Sequence, residues 1–234
     1  MVRIFKSFKF FRKRLLVFCI FINLIFIFPN SILAHETYGD AMNWYRDNNF
    51  IIDPKKNFLI GLKSEDEGKI KKALYFFKLA AEKGLTEAQI KVGSYLIKSD
   101  IQEDHIKARK IFQLLSEKEI PSASFKLGWM YENGIGGERN IIKAEKSYKL
   151  AASRNQNNAY LYLANLALID QSNKNILLAA SYSSIAKKKK VKGSERLLNS
   201  LLPMLETEQL DEMEILVSNL RNCKQNPGDI HLHL

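Results

Sequence analysis

Residues 141–155 read IIKAEKSYKLAASRN, and the chain repeats this pattern three more times. The related stretches read IKKALYFFKLAAEKG from residue 70, HIKARKIFQLLSEKE from residue 105 and ILLAASYSSIAKKKK from residue 176, so the period is 35 or 36 residues. Self-similarity at this period indicates stacked supersecondary units that bury apolar surface against each other. We therefore expect burial of three aligned columns: Ala73, Ala108, Ala144 and Ala179; Leu79, Leu114, Leu150 and Ile185; Ala80, Leu115, Ala151 and Ala186.

A second repeated stretch precedes the first one in three of the units. It reads AQIKVGSYLIKS from residue 88, ASFKLGWMYENG from residue 123 and AYLYLANLALID from residue 159. Apolar residues recur at three- and four-residue steps in both stretches, so each unit is predicted to be a pair of helices. Gly93, Gly128 and Ala164 align in the second stretch. These small residues would let the helices approach closely and leave room for aromatic neighbours, namely Phe77, Phe112 and Tyr148.

Capping and turn residues mark the predicted helix ends. Short polar side chains that can accept from first-turn amides precede the second helices at Asp104, Asn140 and Asn175. Gly84 is expected to end a second helix in the left-handed conformation, and Asp53 followed by Pro54 to begin the leading unit. The four lysines at 187–190 fall where a helix should end, as a solvated terminus or as a docking patch for anions. Residues 195–205 and 207–222 are predicted closing helices, because a stack needs a lid on its last apolar face.

The repeat resembles the Sel1-like repeat, a relative of the tetratricopeptide repeat, and the third unit matches it best. The residues that carry the resemblance are Ala123, Leu127, Gly128, Tyr131, Gly134, Ile135, Gly136, Lys143, Ala144, Tyr148, Ala151 and Ala152. The resemblance extends over residues 53–192 and implies an all-α fold, a right-handed α-α superhelix of about four helical hairpins with C-terminal capping helices. Because the chain lacks the cysteines of the disulfide-stapled branch, the enzymatic activities of that branch are not implied.

The first 34 residues have the order of a secretory signal peptide. Six basic residues precede an apolar run at 15–28, and Pro29 and the small residue Ala34 complete the pattern. A helix of this run covers about 21 Å, less than the ~30 Å of a hydrocarbon core, so we predict cleavage after Ala34. The alternative is an uncleaved inner-membrane anchor formed by residues 15–34. Under both interpretations the rest of the chain is exported, and we expect it in the periplasm.

The predicted organisation has five parts: a signal peptide at 1–34, a lead segment at 35–52, a Sel1-like solenoid at 53–192, capping helices at 193–224 and a flexible tail at 225–234. Of the two cysteines, Cys19 lies inside the signal peptide, so the processed chain would have no internal disulfide. Cys223 is predicted to be a half-buried small apolar residue, with an intermolecular disulfide as the alternative.

No stretch of the sequence has the spacing of a catalytic, cofactor or metal site. Residues 134–137 lack the Lys and Ser or Thr of a phosphate-binding loop and follow a helix, so they are predicted to form a hairpin turn. The acidic residues at 65–67 are interpreted as a solvated helix edge. His231 and His233 supply two ligands, too few for a zinc site. We therefore predict a non-catalytic protein without a cofactor or metal.

The charge balance argues against a nucleic-acid partner. The chain carries 36 Lys and Arg against 25 Asp and Glu, a net charge of +11, but six of the basic residues lie within residues 1–34. The remainder has a net charge of +5, and export removes it from most nucleic acid. We predict a protein partner in the cell envelope, with membrane contact only through the signal sequence or the alternative anchor.

The candidate partner-binding residues project from the first helices, away from the small-residue seam, onto the predicted concave surface. They form two rows, Lys91, Lys126 and Tyr162, and Ser94, Trp129 and Asn165. Lysines would attract acidic groups, and aromatic rings would supply rigid contact area. The alternative is that Trp129 and Tyr162 pack against the neighbouring unit. Two alternative functions are a cell-envelope enzyme or enzyme subunit that acts on peptidoglycan-related polymers, and a lumenal adaptor of the eukaryotic secretory pathway.

Overall fold

The computed structural model describes residues 53–170 and 173–222, and the regular structure within these ranges is helical throughout. Its ten α-helices are α1 (Pro54–Asp66), α2 (Ile70–Glu82), α3 (Thr86–Ile97), α4 (Gln102–Glu117), α5 (Pro121–Asn133), α6 (Ile141–Ser153), α7 (Asn158–Ala167), α8 (Asn173–Lys188), α9 (Ser194–Leu201) and α10 (Thr207–Asn222). Short 3-10 turns follow α7 and α9. The predicted signal peptide, lead segment and tail, with Cys19, Cys223, His231 and His233, lie outside the described residues.

The helices pack as hairpins in chain order. Helix α1 contacts α2, α3 contacts α4, α5 contacts α6 and α7 contacts α8. Successive hairpins also contact each other, through α2 with α3, α4 with α5 and α6 with α7. The predicted all-α solenoid of four helical hairpins is therefore confirmed, and it places α1, α3, α5 and α7 in the role of first helices.

The two closing helices, α9 and α10, both pack against α8. Leu198 and Leu201 on α9 and Val217 on α10 are buried, and they belong to the same apolar core as Ile185 on α8. The last hairpin is thus covered by capping helices, as predicted. In the part of the chain described here, no helix combines the length and the apolar character that crossing a membrane requires.

Glycines on three of the first helices face aromatic rings on the second helices. A Cβ atom added at these glycines would lie 2.5 to 2.8 Å from the nearest ring carbon, closer than real Cβ atoms approach. All three rings are fully buried, so they have little room to move. The small-residue seam predicted at Gly93 and Gly128 is confirmed, and Gly61 extends it to the first hairpin. Its pairs are Gly61 with Phe77, Gly93 with Phe112, and Gly128 with Tyr148.

The fourth hairpin replaces both members of this pair. Ala164 aligns with the glycines and Ser183 aligns with the aromatic residues, and both are fully buried. Ala164 adds a methyl group to the first helix, and Ser183 replaces an aromatic ring on the second helix. The smaller side chain of Ser183 therefore leaves room for the Cβ atom of Ala164. The hydroxyl oxygen of Ser183 has no hydrogen-bond partner among the described residues.

Two of the three predicted columns are buried, and the third is not. Every residue in the Ala73 and Ala80 columns is at most 1% exposed. In the third column, Leu114 is 59% exposed and only Ile185 is buried, so the prediction for that column is wrong. Leu114 precedes Leu115 by one residue, which rotates its side chain about 100° around α4 and away from the core. Ile185 is buried because its helix, α8, is covered by the closing helices.

The four second helices all end in the same left-handed turn, at a period of 35 or 36 residues. In each turn an amide donates to the carbonyl five residues earlier, as from Ile120 to Leu115 at 3.1 Å and from Val191 to Ala186 at 3.0 Å. This is the hydrogen bond of a Schellman motif. The prediction for Gly84 is confirmed, and the turn forms without glycine in the other units. The left-handed residues are Gly84 (φ 85°), Glu119 (φ 64°), Asn155 (φ 67°) and Lys190 (φ 57°).

Replacing Lys190 by glycine is expected to raise the free energy of unfolding by about 0.5–1 kcal/mol, because lysine is strained at positive φ and glycine is not. Urea unfolding followed by far-UV circular dichroism measures the change. The control is Lys188→Gly, at the last residue of α8, which should lower stability by about 0.5–1 kcal/mol. Equal destabilisation by both substitutions would show that the left-handed turn carries no strain.

One of the three predicted N-caps is confirmed. The Asn140 side-chain oxygen accepts a hydrogen bond from the Lys143 amide at 2.8 Å. Helix α4 begins at Gln102 and α8 at Asn173, so Asp104 and Asn175 lie inside the first turn and these two predictions are wrong. The loop before α4 spans only residues 98–101, whereas the loop before α6 spans 134–140, and the second helices therefore begin at different points of the repeat.

Candidate functional site

A cleft of about 400 Å³ is lined by residues of α1 and α3, the first helices of two successive hairpins. Its volume falls in the range of ordinary ligand pockets, about 300–1,000 Å³. Aromatic and aliphatic side chains and four charged residues share its wall. The lining residues are Phe58, Glu65, Glu87, Ile90, Lys91, Ser94, Tyr95 and Lys98.

A charged network joins α1 to α3 in this cleft. The Lys91 ammonium lies 2.5 Å from one Glu65 carboxylate oxygen, and the Tyr95 hydroxyl donates to the other at 2.7 Å. The Lys91 ammonium also lies 5.6 Å from the ring centroid of Phe77, in cation–π range. This network uses both carboxylate oxygens of Glu65, so the interpretation of residues 65–67 as a solvated edge is wrong for Glu65.

The network changes the proton affinity of its members. Hydrogen bonds from Lys91 and Tyr95 hold the pKa of Glu65 below its usual value of 4.5. Burial, together with the hydrogen bond to the Glu65 carboxylate, raises the pKa of Tyr95 to about 12. At neutral pH the network therefore joins the Glu65 carboxylate, the Lys91 ammonium and the neutral phenol of Tyr95, and the half-buried charges of Glu65 and Lys91 neutralise each other.

Replacing Glu65 by glutamine is expected to lower the free energy of unfolding by about 1 kcal/mol at pH 7, through the loss of one charged hydrogen-bond network. Because the folded-state pKa of Glu65 is depressed, its contribution is present above pH 4.5 and is lost as the pH falls through the folded-state value. Urea unfolding at pH 7 and at pH 3 measures the difference between wild type and variant, which should narrow at pH 3. Asp66→Asn, at the exposed neighbouring carboxylate, is the control and should have little effect.

The structure brings two of the six predicted binding residues into this cleft. Lys91 and Ser94 line it, although the Lys91 ammonium is paired with Glu65. The other four lie further along the row of first helices, on α5 and α7. They are Lys126, Trp129, Tyr162 and Asn165.

The two aromatic candidates both contact the core. Trp129 is half-buried and packs against the main apolar cluster. Tyr162 lies edge-on to Phe125 with ring centroids 4.9 Å apart, and 5.3 Å from the ring centroid of Tyr148. Of the six candidates Asn165 alone is exposed, and Lys126 is half-buried like the others.

Sequence reasoning missed six of the eight cleft residues: Phe58, Glu65, Glu87, Ile90, Tyr95 and Lys98. Glu65 and Lys91 are 26 residues apart, a spacing that matches no helical or strand period. One usable signal was present in the sequence. Glu87 and Tyr95 lie four residues before and four residues after Lys91. Residues four apart share one face of a helix, so the spacing on α3 places both beside Lys91.

A second polar cluster holds the turn at 134–137 against the preceding hairpin. The Arg109 guanidinium on α4 donates to the carbonyls of Ile135 at 2.8 Å and of Met130 and Gly137 at 3.2 Å, and it stacks 4.7 Å from the ring centroid of Tyr131. A Cβ atom at Gly136 would lie 2.3 Å from the His105 carbonyl oxygen. The turn is thus pressed onto α4, which confirms its prediction as a hairpin turn.

Groups of three or more His, Cys, Asp or Glu side chains that could hold a metal ion are not found in the described ranges, 53–170 and 173–222. The cleft between α1 and α3 offers instead paired charges, two hydroxyl groups and apolar surface, which are the elements of a recognition site.

A family model for the Sel1 repeat matches this chain three times, at residues 62–85, 86–119 and 121–156. The second and third matches each enclose one hairpin, α3 with α4 and α5 with α6. The first match begins inside α1 and includes α2. The predicted resemblance is confirmed in these three units, and the match ends before the fourth hairpin.

Two curated relatives are the proteins named DAP3-binding cell death enhancer 1 from Rattus norvegicus and Mus musculus. They are 38% and 37% identical to this chain over 82 residues, which are 35% of this chain and 16% of each relative. The chain thus matches about a sixth of the length of these relatives.

Two solved structures share the fold. A protective antigen of uropathogenic Escherichia coli that displays an SLR fold aligns with a TM-score of 0.66 at 20% identity, over 78% of this chain and 40% of the antigen. A Sel1 repeat protein from Oxalobacter formigenes aligns with a TM-score of 0.57 at 21% identity, over 81% of this chain and 82% of that protein. Both are bacterial proteins, and both support the solenoid architecture.

Proposed function

We propose, from the premise that this chain is a protein of tandem Sel1 repeats, that it is an exported, non-catalytic adaptor. Sel1 repeats mediate protein–protein interaction, so the general function of this chain is interaction with protein partners. The proposal adds two points to that function. The chain acts in the bacterial cell envelope, and its partner lies across the row of first helices, α1, α3, α5 and α7.

The observation that carries the proposal is the cleft between α1 and α3. Solenoids of helical hairpins present extended surfaces to their partners, and we assign this cleft to that surface in the first two hairpins. Phe58 and Tyr95 provide aromatic area, and Ser94 offers a hydroxyl group beside them. The cleft contains the combination of apolar area and polar groups that binding sites for protein segments share.

A photo-crosslinking experiment in intact cells tests the proposed surface. A photoreactive phenylalanine analogue is placed at Ser94 in the cleft or at Lys110, an exposed residue on the second helix of the same repeat. We expect a discrete crosslinked partner band from the Ser94 variant and none from the Lys110 variant. The same bands from both positions, or no band from Ser94, would contradict the proposal.

Substituting Lys126 and Trp129 together by alanine is expected to weaken partner capture several-fold, since the pair lies on α5 of the same row of first helices. Pull-down from the envelope fraction measures capture, and thermal unfolding measures the fold. A large drop in melting temperature would assign Trp129 to packing instead, in line with its contacts to the core.

The export part of the proposal rests on residues 1–34, whose basic, apolar and small-residue segments have the order of a signal peptide. Cell fractionation with N-terminal sequencing of the isolated protein tests it. Recovery from the periplasm with His35 as the first residue supports cleavage after Ala34. A membrane-bound protein that retains residues 1–34 supports the anchor, and a cytoplasmic protein contradicts export.

A further inference from the structure

The cleft between α1 and α3 has opposite charges at its two ends. Glu87 lies in the first turn of α3 and Lys98 is the C-cap residue of the same helix. Eleven residues separate them, which corresponds to about 16 Å along a helix axis. Both side chains are exposed, and both line the cleft. The cleft therefore runs from an acidic end to a basic end.

The middle of the cleft carries no net charge. The carboxylate of Glu65 is neutralised by the Lys91 ammonium at 2.5 Å and accepts from the Tyr95 hydroxyl. What remains for a ligand in the middle is the surface of Phe58 and Ile90 and the hydroxyl group of Ser94. A ligand that fits this wall is apolar at its centre and charged at its ends.

We infer, resting on the proposed function, that the cleft binds an extended peptide segment of about five residues with a basic side chain over Glu87, an acidic side chain beside Lys98 and apolar side chains between them. An extended chain rises about 3.3 Å per residue, so the Cα atoms of the first and fifth residues lie about 13 Å apart, and their long side chains cover the remaining distance of about 3 Å to the two charges. The charges of Glu87 and Lys98 complement this segment and set its direction along α3.

A ligand of a single charge sign fits this cleft poorly. A uniformly acidic peptide would be attracted to Lys98 and repelled by Glu87, and a uniformly basic peptide would experience the reverse. The polarised segment forms a favourable charge pair at both ends, and each exposed charge pair raises the affinity roughly two- to fivefold. Glu87 at the start of α3 and Lys98 at its end also stabilise the helix dipole, a role that needs no ligand. The test therefore measures the preferred direction of the peptide as well as its binding.

Fluorescence anisotropy with the full chain and labelled five-residue peptides provides that test. Two peptides share a Leu-Phe-Leu centre and carry Lys first and Asp last, or Asp first and Lys last, and a third has Gln and Asn at its ends. One of the two polarised peptides should bind about five- to tenfold more tightly than the neutral peptide. This advantage should disappear in about 1 M salt, where charge interactions are screened.

A charge exchange in the protein shows whether Glu87 and Lys98 are responsible. The double variant Glu87→Lys with Lys98→Glu should prefer the peptide of the opposite order by a similar factor. The matched control is Lys72→Glu with Glu82→Lys, which exchanges two exposed charges on α2 outside the cleft and should leave the preference unchanged. Circular dichroism verifies that both double variants are folded.

The outcomes separate this inference from the proposed function. Three results would overturn the inference that the cleft binds a polarised segment. They are binding of all three peptides within twofold of each other, no binding of any peptide, and an unchanged preference after the exchange of Glu87 and Lys98. The proposed function would survive these results if the Ser94 crosslink to a partner persists. Loss of the Ser94 crosslink as well would overturn both.

Discussion

Replacing Gly128 by valine is expected to lower the free energy of unfolding by about 3 kcal/mol, at the upper end of the usual cost of overpacking. A Cβ atom at this position would lie 2.7 Å from two ring carbons of Tyr148. The ring is unable to yield, because it is fully buried, packs 5.5 Å from the ring centroid of Phe125 and donates its hydroxyl to Glu132 at 2.6 Å. Thermal unfolding should show a drop in melting temperature of about 10 °C.

Two comparisons identify the cause of this loss. Asn133→Val introduces the same side chain at an exposed position of α5 and should cost less than about 1 kcal/mol. A double-mutant cycle with Tyr148→Ala should show favourable coupling of at least about 1 kcal/mol, because the valine methyl groups then enter the space that the ring has left. Strict additivity would show that the close contact with Tyr148 is not the source of the destabilisation. The fourth hairpin, with Ala164 and Ser183 at these positions, already contains a smaller version of the double change.

Replacing Arg109 by alanine is expected to lower the free energy of unfolding by about 2–3 kcal/mol. The guanidinium donates to carbonyls of Met130, Ile135 and Gly137, so the substitution removes charged hydrogen bonds from the end of α5 and from the turn that follows it. Its stacking on Tyr131 is lost as well. Urea unfolding of the wild type and the variant measures the difference.

The charge of Arg109 and the geometry of its hydrogen bonds can be separated. Arg109→Lys keeps the charge but lacks the planar fork of donors, so it should recover less than half of the lost stability. Lys110→Ala, at the exposed neighbour on α4, should change stability by less than about 0.5 kcal/mol. A lysine variant as stable as the wild type would mean that charge alone accounts for the role of Arg109.

The repeat period made most of the fold predictable from the sequence. Alanines recur in columns only where helices approach closely, and every alanine in the Ala73 column is fully buried. The period alone does not fix which way the side chains of a repeated column point, because an offset of one residue rotates a side chain about 100° around the helix. Leu114 shows this, since it is apolar in a repeated position but lies 59% exposed. Loop length similarly decided that Asp104 falls inside α4 and not before it.

The candidate site was predictable only on the helix whose repeat pattern was recognised. Lys91 and Ser94 were found because they project from a first helix, but their neighbour Glu65 comes from α1, which contributes through a contact 26 residues away. Arg109 was missed for a related reason. Its partners are backbone carbonyls, and carbonyls are present at every residue, so no side-chain pattern marks the ones that it binds.

The position of α9 and α10 has a consequence for the size of the molecule. Since both helices lie on α8, the surface on which a fifth hairpin would stack is already occupied within the chain. A hairpin from another copy therefore cannot stack on α8 in the way that successive hairpins stack within the chain, and the number of stacked hairpins after α1 is set by this chain alone. A longer array would arise by duplication of a hairpin upstream of α9. The left-handed turn at the end of each second helix would join the added hairpin to the next one.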